Sequence, residues 1–139
     1  MARIMAFDMG GKRTGIAVTD PLQLIATGLT TIDTANMVNF VKNYLLAESV
    51  ERFVVGWPTN WDDTPTHGTV VAEKGIALLL KNFPQIPITK VDERYTSKMA
   101  KDAMLEMGLK KKDRRDKKIV DEIAATILLQ DYLRSVQGA

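Results

Sequence analysis

Apolar residues open the chain in two short runs. Ile4, Met5, Ala6 and Phe7 lead to Asp8, Gly10-Gly11-Lys12-Arg13 follow, and Gly15, Ile16, Ala17 and Val18 lead away. Runs of this length around turn residues predict two antiparallel strands between Arg3 and Asp20. Pro21 ends the second, and Ile25 to Ile32 predicts a third, short strand. The spacing then becomes helical. Met37, Val38, Val41, Tyr44 and Leu45 predict a helix from about Ala35 to Ala47, with Thr34 placed to cap it. Arg52 to Gly56, centred on Phe-Val-Val, predicts a buried strand of the parallel kind that Pro58 stops. Thr59 to Gly68 is turn chemistry throughout and predicts an exposed loop.

A second helix is expected from about Thr69 to Asn82, then a strand from Ile86 to Val91 that runs into Asp92-Glu93. Thr96 can cap a third helix, with Met99, Ala100, Ala103, Met104 and Met107 on one face and Gly108 at its end. A last helix is expected from about Lys117 to Ser135. Strands joined through helices are parallel with right-handed crossovers. The expectation is therefore an α/β fold in one domain over residues 1–139: a mixed five-stranded sheet, three antiparallel strands and then parallel ones, covered by helices.

Three acids stand out against this pattern. Asp is a poor strand residue and is rarely buried without a partner, yet Asp8 closes the most apolar strand. Glu93 follows the last strand, and in open α/β sheets sites form outside the carboxyl ends of strands. Asp121 has Ala124, Ala125, Leu128 and Tyr132 at i+3, i+4, i+7 and i+11, so it falls on or beside an apolar helical face. Each acid alone has an ordinary explanation. Asp8 can hold the turn, Glu93 can pair with a surface base such as Arg94, and Asp121 can pair with Lys117 or Lys118.

Composition narrows the chemistry. With no Cys and a single His, His67, the chain has no thiolate nucleophile, and a His-based zinc site or serine triad is improbable. Three acids near one sheet edge then favour a hard cation with oxygen ligands, Mg²⁺ or Mn²⁺. Such ions activate water and stabilise the leaving oxygen of a phosphodiester, which is nuclease chemistry. No apolar run approaches a membrane span and the N-terminus enters a strand directly, so a cytoplasmic protein with no membrane partner is expected. The net charge is only +2, but Lys110 to Lys118 holds seven of the 19 basic residues and two of the 17 acidic ones, leaving 12 against 15 elsewhere. That asymmetry fits a polyanion footprint, and equally a solvated loop.

Four ordered motifs carry a resemblance. Asp8 to Asp20 (Asp-Met-Gly-Gly-Lys-Arg-Thr-Gly-Ile-Ala-Val-Thr-Asp), Val54 to Asn60, Asp92 to Ser97 and Val120 to Ala125 (Val-Asp-Glu-Ile-Ala-Ala) resemble the YqgF-type family of pre-16S rRNA nucleases, also called Holliday-junction-resolvase-like proteins. The resemblance implies a ribonuclease-H-like fold and metal-dependent cleavage at the 5′ end of the small-subunit ribosomal RNA precursor. It places the catalytic and metal-binding acids on Asp8, Glu93 and Asp121. Lys12, Arg13, Asn60 and Arg94 match positions expected to border the site and meet phosphate. Trp57 and Trp61-Asp62-Asp63 depart from the usual motif, and Ala124 and Ala125 stand where a junction resolvase tends to carry a second acid. One metal is therefore a firmer expectation than two.

Competing readings are a Holliday junction resolvase and a non-catalytic RNA-binding ribosome-assembly factor that uses the basic run, with Lys110, Lys111 and Lys112, and not the acids. An ATP-binding sugar-kinase or actin-like module is weaker, because it needs a second domain and the turn lacks a P-loop ending. A monomer or weak homodimer is expected, since the helices spend their apolar faces on one sheet. Single-stranded RNA is then the expected substrate over a four-way DNA junction, which calls for a two-fold dimer. Trp61 is placed to stack on unpaired bases; Trp57 is open between that role and core packing.

Overall fold

The computed structural model describes residues 2–58, 66–92, 102, 105–106 and 117–137. Asn60, Trp61, Glu93, Arg94 and Lys110 to Lys112, with most of the helix expected after Thr96, lie outside them. Five strands form one sheet: β1 (Arg3–Met9), β2 (Arg13–Thr19), β3 (Ala26–Asp33), β4 (Val50–Trp57) and β5 (Ile88–Asp92). Their order is β3-β2-β1-β4-β5, so the first strand of the chain is the middle of the sheet. β1–β2 and β2–β3 are antiparallel, while β1–β4 and β4–β5 are parallel, as the hydrophobic pattern predicts.

Strand alternation sorts the core into two faces. Met5, Phe7, Met9, Ile16, Val18, Phe53 and Val55 pack with Met37 and Val41 of α1 (Met37–Ala47) and Ala72 and Leu79 of α2 (His67–Asn82). Ile4, Ala6, Ala17, Ala26 and Val54 pack on the opposite face against Ala125, Leu128, Leu129 and Leu133 of α3 (Lys117–Gln137). That second face is built from small strand residues, which lets α3 lie close to the sheet. Asp8 shares the parity of Ile4 and Ala6, so its side chain belongs to the α3 face.

Two helix starts differ from the sequence expectation. Thr34 does not cap α1. It sits in a 3₁₀ turn, Thr34–Asn36, and neither Asp33 nor Asn36 makes a side-chain cap. The second helix begins two residues early, capped by Thr66. The Thr66 hydroxyl accepts from the Thr69 N–H at 3.2 Å, and the Thr69 hydroxyl accepts from the Thr66 N–H at 2.9 Å. Thr69 also donates to the carbonyl of Pro58, fastening the helix start to the end of β4. Thr66→Ala is expected to lower stability by about 1 kcal/mol, read as a lower urea midpoint at unchanged m-value.

The connection between β2 and β3 is held by Asp20. Its carboxylate accepts from the backbone N–H groups of Ile25 and Leu24, both at 2.8 Å, and of Leu22 at 3.1 Å. The Ile25 bond is foremost in holding this carboxyl below its usual range. Gln23 takes φ 60° within the loop. Leu22, Leu24 and Ile25 are left outward at 57%, 63% and 66% exposure.

Candidate nuclease site

The turn between β1 and β2 is shaped by Thr14 and by Thr34, which the sequence placed as a helix cap. The Thr34 hydroxyl donates to the carbonyl of Gly10 at 2.6 Å, and Thr14 Oγ1 lies 2.9 Å from Thr34 Oγ1. The Thr34 N–H donates to the Lys12 carbonyl at 2.9 Å. A residue more than 20 positions along the chain therefore fixes the loop carrying Lys12 and Arg13, and Thr14, fully buried, completes the network.

Gly10 and Gly15 act by close approach, and none of Gly10, Gly11 and Gly15 has a left-handed φ. A Cβ on Gly10 would stand 2.4 Å from the Arg13 carbonyl oxygen, and one on Gly15 would stand 2.1 Å from the carbonyl oxygen of Asp121. Gly15 is the residue paired with Asp8 across β1 and β2. One position without a side chain thus lies beside both acids: it neighbours Asp8 in the sheet and lets the first turns of α3 rest on the strand at Asp121.

A cleft of about 320 Å³ results, lined by Asp8, Met9, Gly10, Gly11, Lys12, Arg13 and Asp121. Asp8 and Asp121 are half-buried and Lys12 is exposed. Arg13 shares the parity of Gly15 and Ala17, so it reaches over the same face, and its Nε stands 3.4 Å from Oδ2 of Asp121. Arg13 is brought to Asp121 by the sheet. Among the described residues no three acids or histidines gather as a metal set. Two carboxylates in one cleft nevertheless suit a hard dication such as Mg²⁺, which commonly takes one or two carboxylates and fills its shell with water and substrate phosphate.

Of the expected site residues, Asp8, Lys12, Arg13 and Asp121 converge on this cleft. β5 does not neighbour β1, because β4 lies between them. Trp57 does not belong to the site. It packs partly buried on the α1/α2 face, with Lys90 Nζ 4.0 Å from its ring centroid, so the core reading of this residue is the correct one.

A mixed sheet with a central first strand, crossed by α3 beside an acidic cleft, gives this chain a ribonuclease-H-like fold. Thermus thermophilus RuvC in complex with a Holliday junction substrate has the same fold, with a TM-score of 0.59 at 15% identity, covering 99% of this chain and 97% of that one. A second T. thermophilus RuvC structure gives 0.55 at 13% identity, covering 98% and 96%. Residues 2–135 match the family model RuvX: Holliday junction resolvase. Proteins from Christiangramia forsetii and Bacteroides thetaiotaomicron are 53% and 51% identical over 133 and 135 residues, covering 96% and 97% of this chain and 98% of each of theirs. Both bear the name "Putative pre-16S rRNA nuclease". The chain belongs to the RuvX family.

Proposed function

We propose that this protein is a divalent-metal-dependent nuclease that trims the 5′ end of the small-subunit ribosomal RNA precursor. The observation that carries the reading is the meeting of Asp8 and Asp121, from opposite ends of the chain, in a cleft that also holds Lys12 and Arg13. Asp8 and Asp121 would hold the metal, joined by Glu93, which follows β5 directly in sequence. Bound there, the ion supplies water activation and charge stabilisation at the leaving oxygen. Lys12 and Arg13 bring positive charge to the phosphodiester backbone, and the Arg fork can engage two phosphate oxygens at once. The glycine turn keeps side chains out of the way of that backbone.

The choice of RNA rests on the names of the half-identical relatives; the RuvC complex supports a four-way junction as the competing substrate. Incubation of the purified protein with 5′-extended precursor RNA or a four-way DNA junction, each with Mg²⁺, Mn²⁺ or EDTA, tests the proposal. Metal-dependent cleavage of the RNA at its 5′ extension is expected. Paired symmetric cuts in the junction, with the RNA untouched, would replace this reading with resolution.

Nucleic-acid contact by the basic run and by Asn60, Trp61 and Arg94 is part of the same proposal. Neutralising Lys110, Lys111 and Lys112 together is expected to weaken binding of all single-stranded sequences alike. The slope of log K against log salt should flatten by as much as about 0.7 per lost contact. An unchanged slope in a fluorescence-anisotropy titration would make the run a solvated linker.

A further inference from the structure

The ion pair in the cleft carries one further inference, which rests on the metal-site reading above. Arg13 Nε is 3.4 Å from Asp121 Oδ2, and the two side chains are only 28% and 26% exposed, so water screens the pair less than it would a surface one. The oxygen that Arg13 faces belongs to one of the two described acids lining the cleft. A dication drawing on Asp121 and a guanidinium held by the same carboxylate oppose each other, because each reduces the negative charge available to the other. Arg13 is also the cleft side chain whose planar fork best matches a phosphodiester. A phosphate entering beside Lys12 therefore offers Arg13 a second anion and weakens its hold on Asp121.

We propose that Arg13 is a positioning residue that couples the two ligands: it holds Asp121 until a nucleic-acid phosphate draws it away, so that substrate tightens metal binding and metal tightens substrate binding by the same factor.

The test is Mn²⁺ affinity, read by electron paramagnetic resonance or calorimetry on the full chain, alone and with a short non-cleavable phosphorothioate oligoribonucleotide at fixed ionic strength. The oligonucleotide is expected to tighten Mn²⁺ binding by about fivefold or more in the natural sequence. Arg13→Ala is expected to bind Mn²⁺ alone up to roughly fivefold more tightly, the scale of a partly exposed ion pair, and to lose most of the coupling. Arg13→Lys, which keeps the charge and serves as the folded control, should retain part of it. Unchanged or weaker Mn²⁺ affinity in Arg13→Ala, or coupling equal to that of the natural sequence, overturns the inference. If Asp8→Asn and Asp121→Asn bind Mn²⁺ as the natural chain does, the metal-site reading itself is what fails.

Discussion

Asp8→Asn is expected to lower metal-dependent phosphodiester cleavage by about 100- to 1000-fold while leaving the protein folded. The amide keeps the size and shape of the carboxylate but removes its charge and turns one acceptor oxygen into an NH2 donor, and a dication needs both the charge and the oxygen. Asp121→Asn should do the same. In the metal-free protein each change relieves like-charge repulsion in a half-buried cleft and also loses what the carboxylate attracts, for Asp121 the guanidinium of Arg13, so stability should stay within about 1 kcal/mol of the natural sequence. Cleavage rates in Mg²⁺ and Mn²⁺, with urea midpoints of the metal-free variants, check both. An Asp121→Asn variant that cleaves at the natural rate would reduce this residue to a structural ion-pair partner.

The order of the strands and of the three described helices was legible because the short apolar runs are bounded by Gly and Pro while the longer segments keep helical spacing. The observed strands fall within two residues of their predicted bounds. Asp8 and Asp121 were legible for a related reason: a carboxylate at the end of an apolar run, or on an apolar helical stripe, breaks the pattern that burial imposes. Sequence periodicity shows such a break but not what answers it. Arg13 meets Asp121 across 108 positions, and only the crossing of α3 over β2 brings them together. Thr34 illustrates the reverse error. A threonine before an apolar helical stripe reads as a cap, yet this hydroxyl is spent on the Gly10 carbonyl. Local rules cannot see that competing acceptor, because β3 delivers Thr34 to the turn from the far side of a hairpin. Trp57 was undecidable from sequence, since the parity that assigns its face depends on the register of β4 in the sheet.

Gly15→Ala is expected to damage stability and activity together. The added Cβ would lie 2.1 Å from the carbonyl oxygen and 2.4 Å from the carbonyl carbon of Asp121, and both are backbone atoms that no rotamer change can move. Relief therefore requires α3 to withdraw by about 1 Å, against the packing of Ala125, Leu128, Leu129 and Leu133 on the sheet. Overpacking of this kind costs about 1–3 kcal/mol, and the rigid contact puts this position at the upper end. The same movement separates Asp121 from Asp8, and a displacement of that size can reduce turnover by about 100-fold. Gly11→Ala is the matched control. A Cβ there meets nothing within 4 Å, and the residue is exposed with no left-handed φ, so stability should stay within about 1 kcal/mol of the natural sequence, and any change should be a gain. Urea unfolding and Mn²⁺-dependent cleavage measured on both variants decide the matter. A Gly15→Ala protein as stable as Gly11→Ala and as active as the natural sequence would mean that α3 does not rest on β2 at Asp121, and that the two acids are held together by something other than the missing side chain between them.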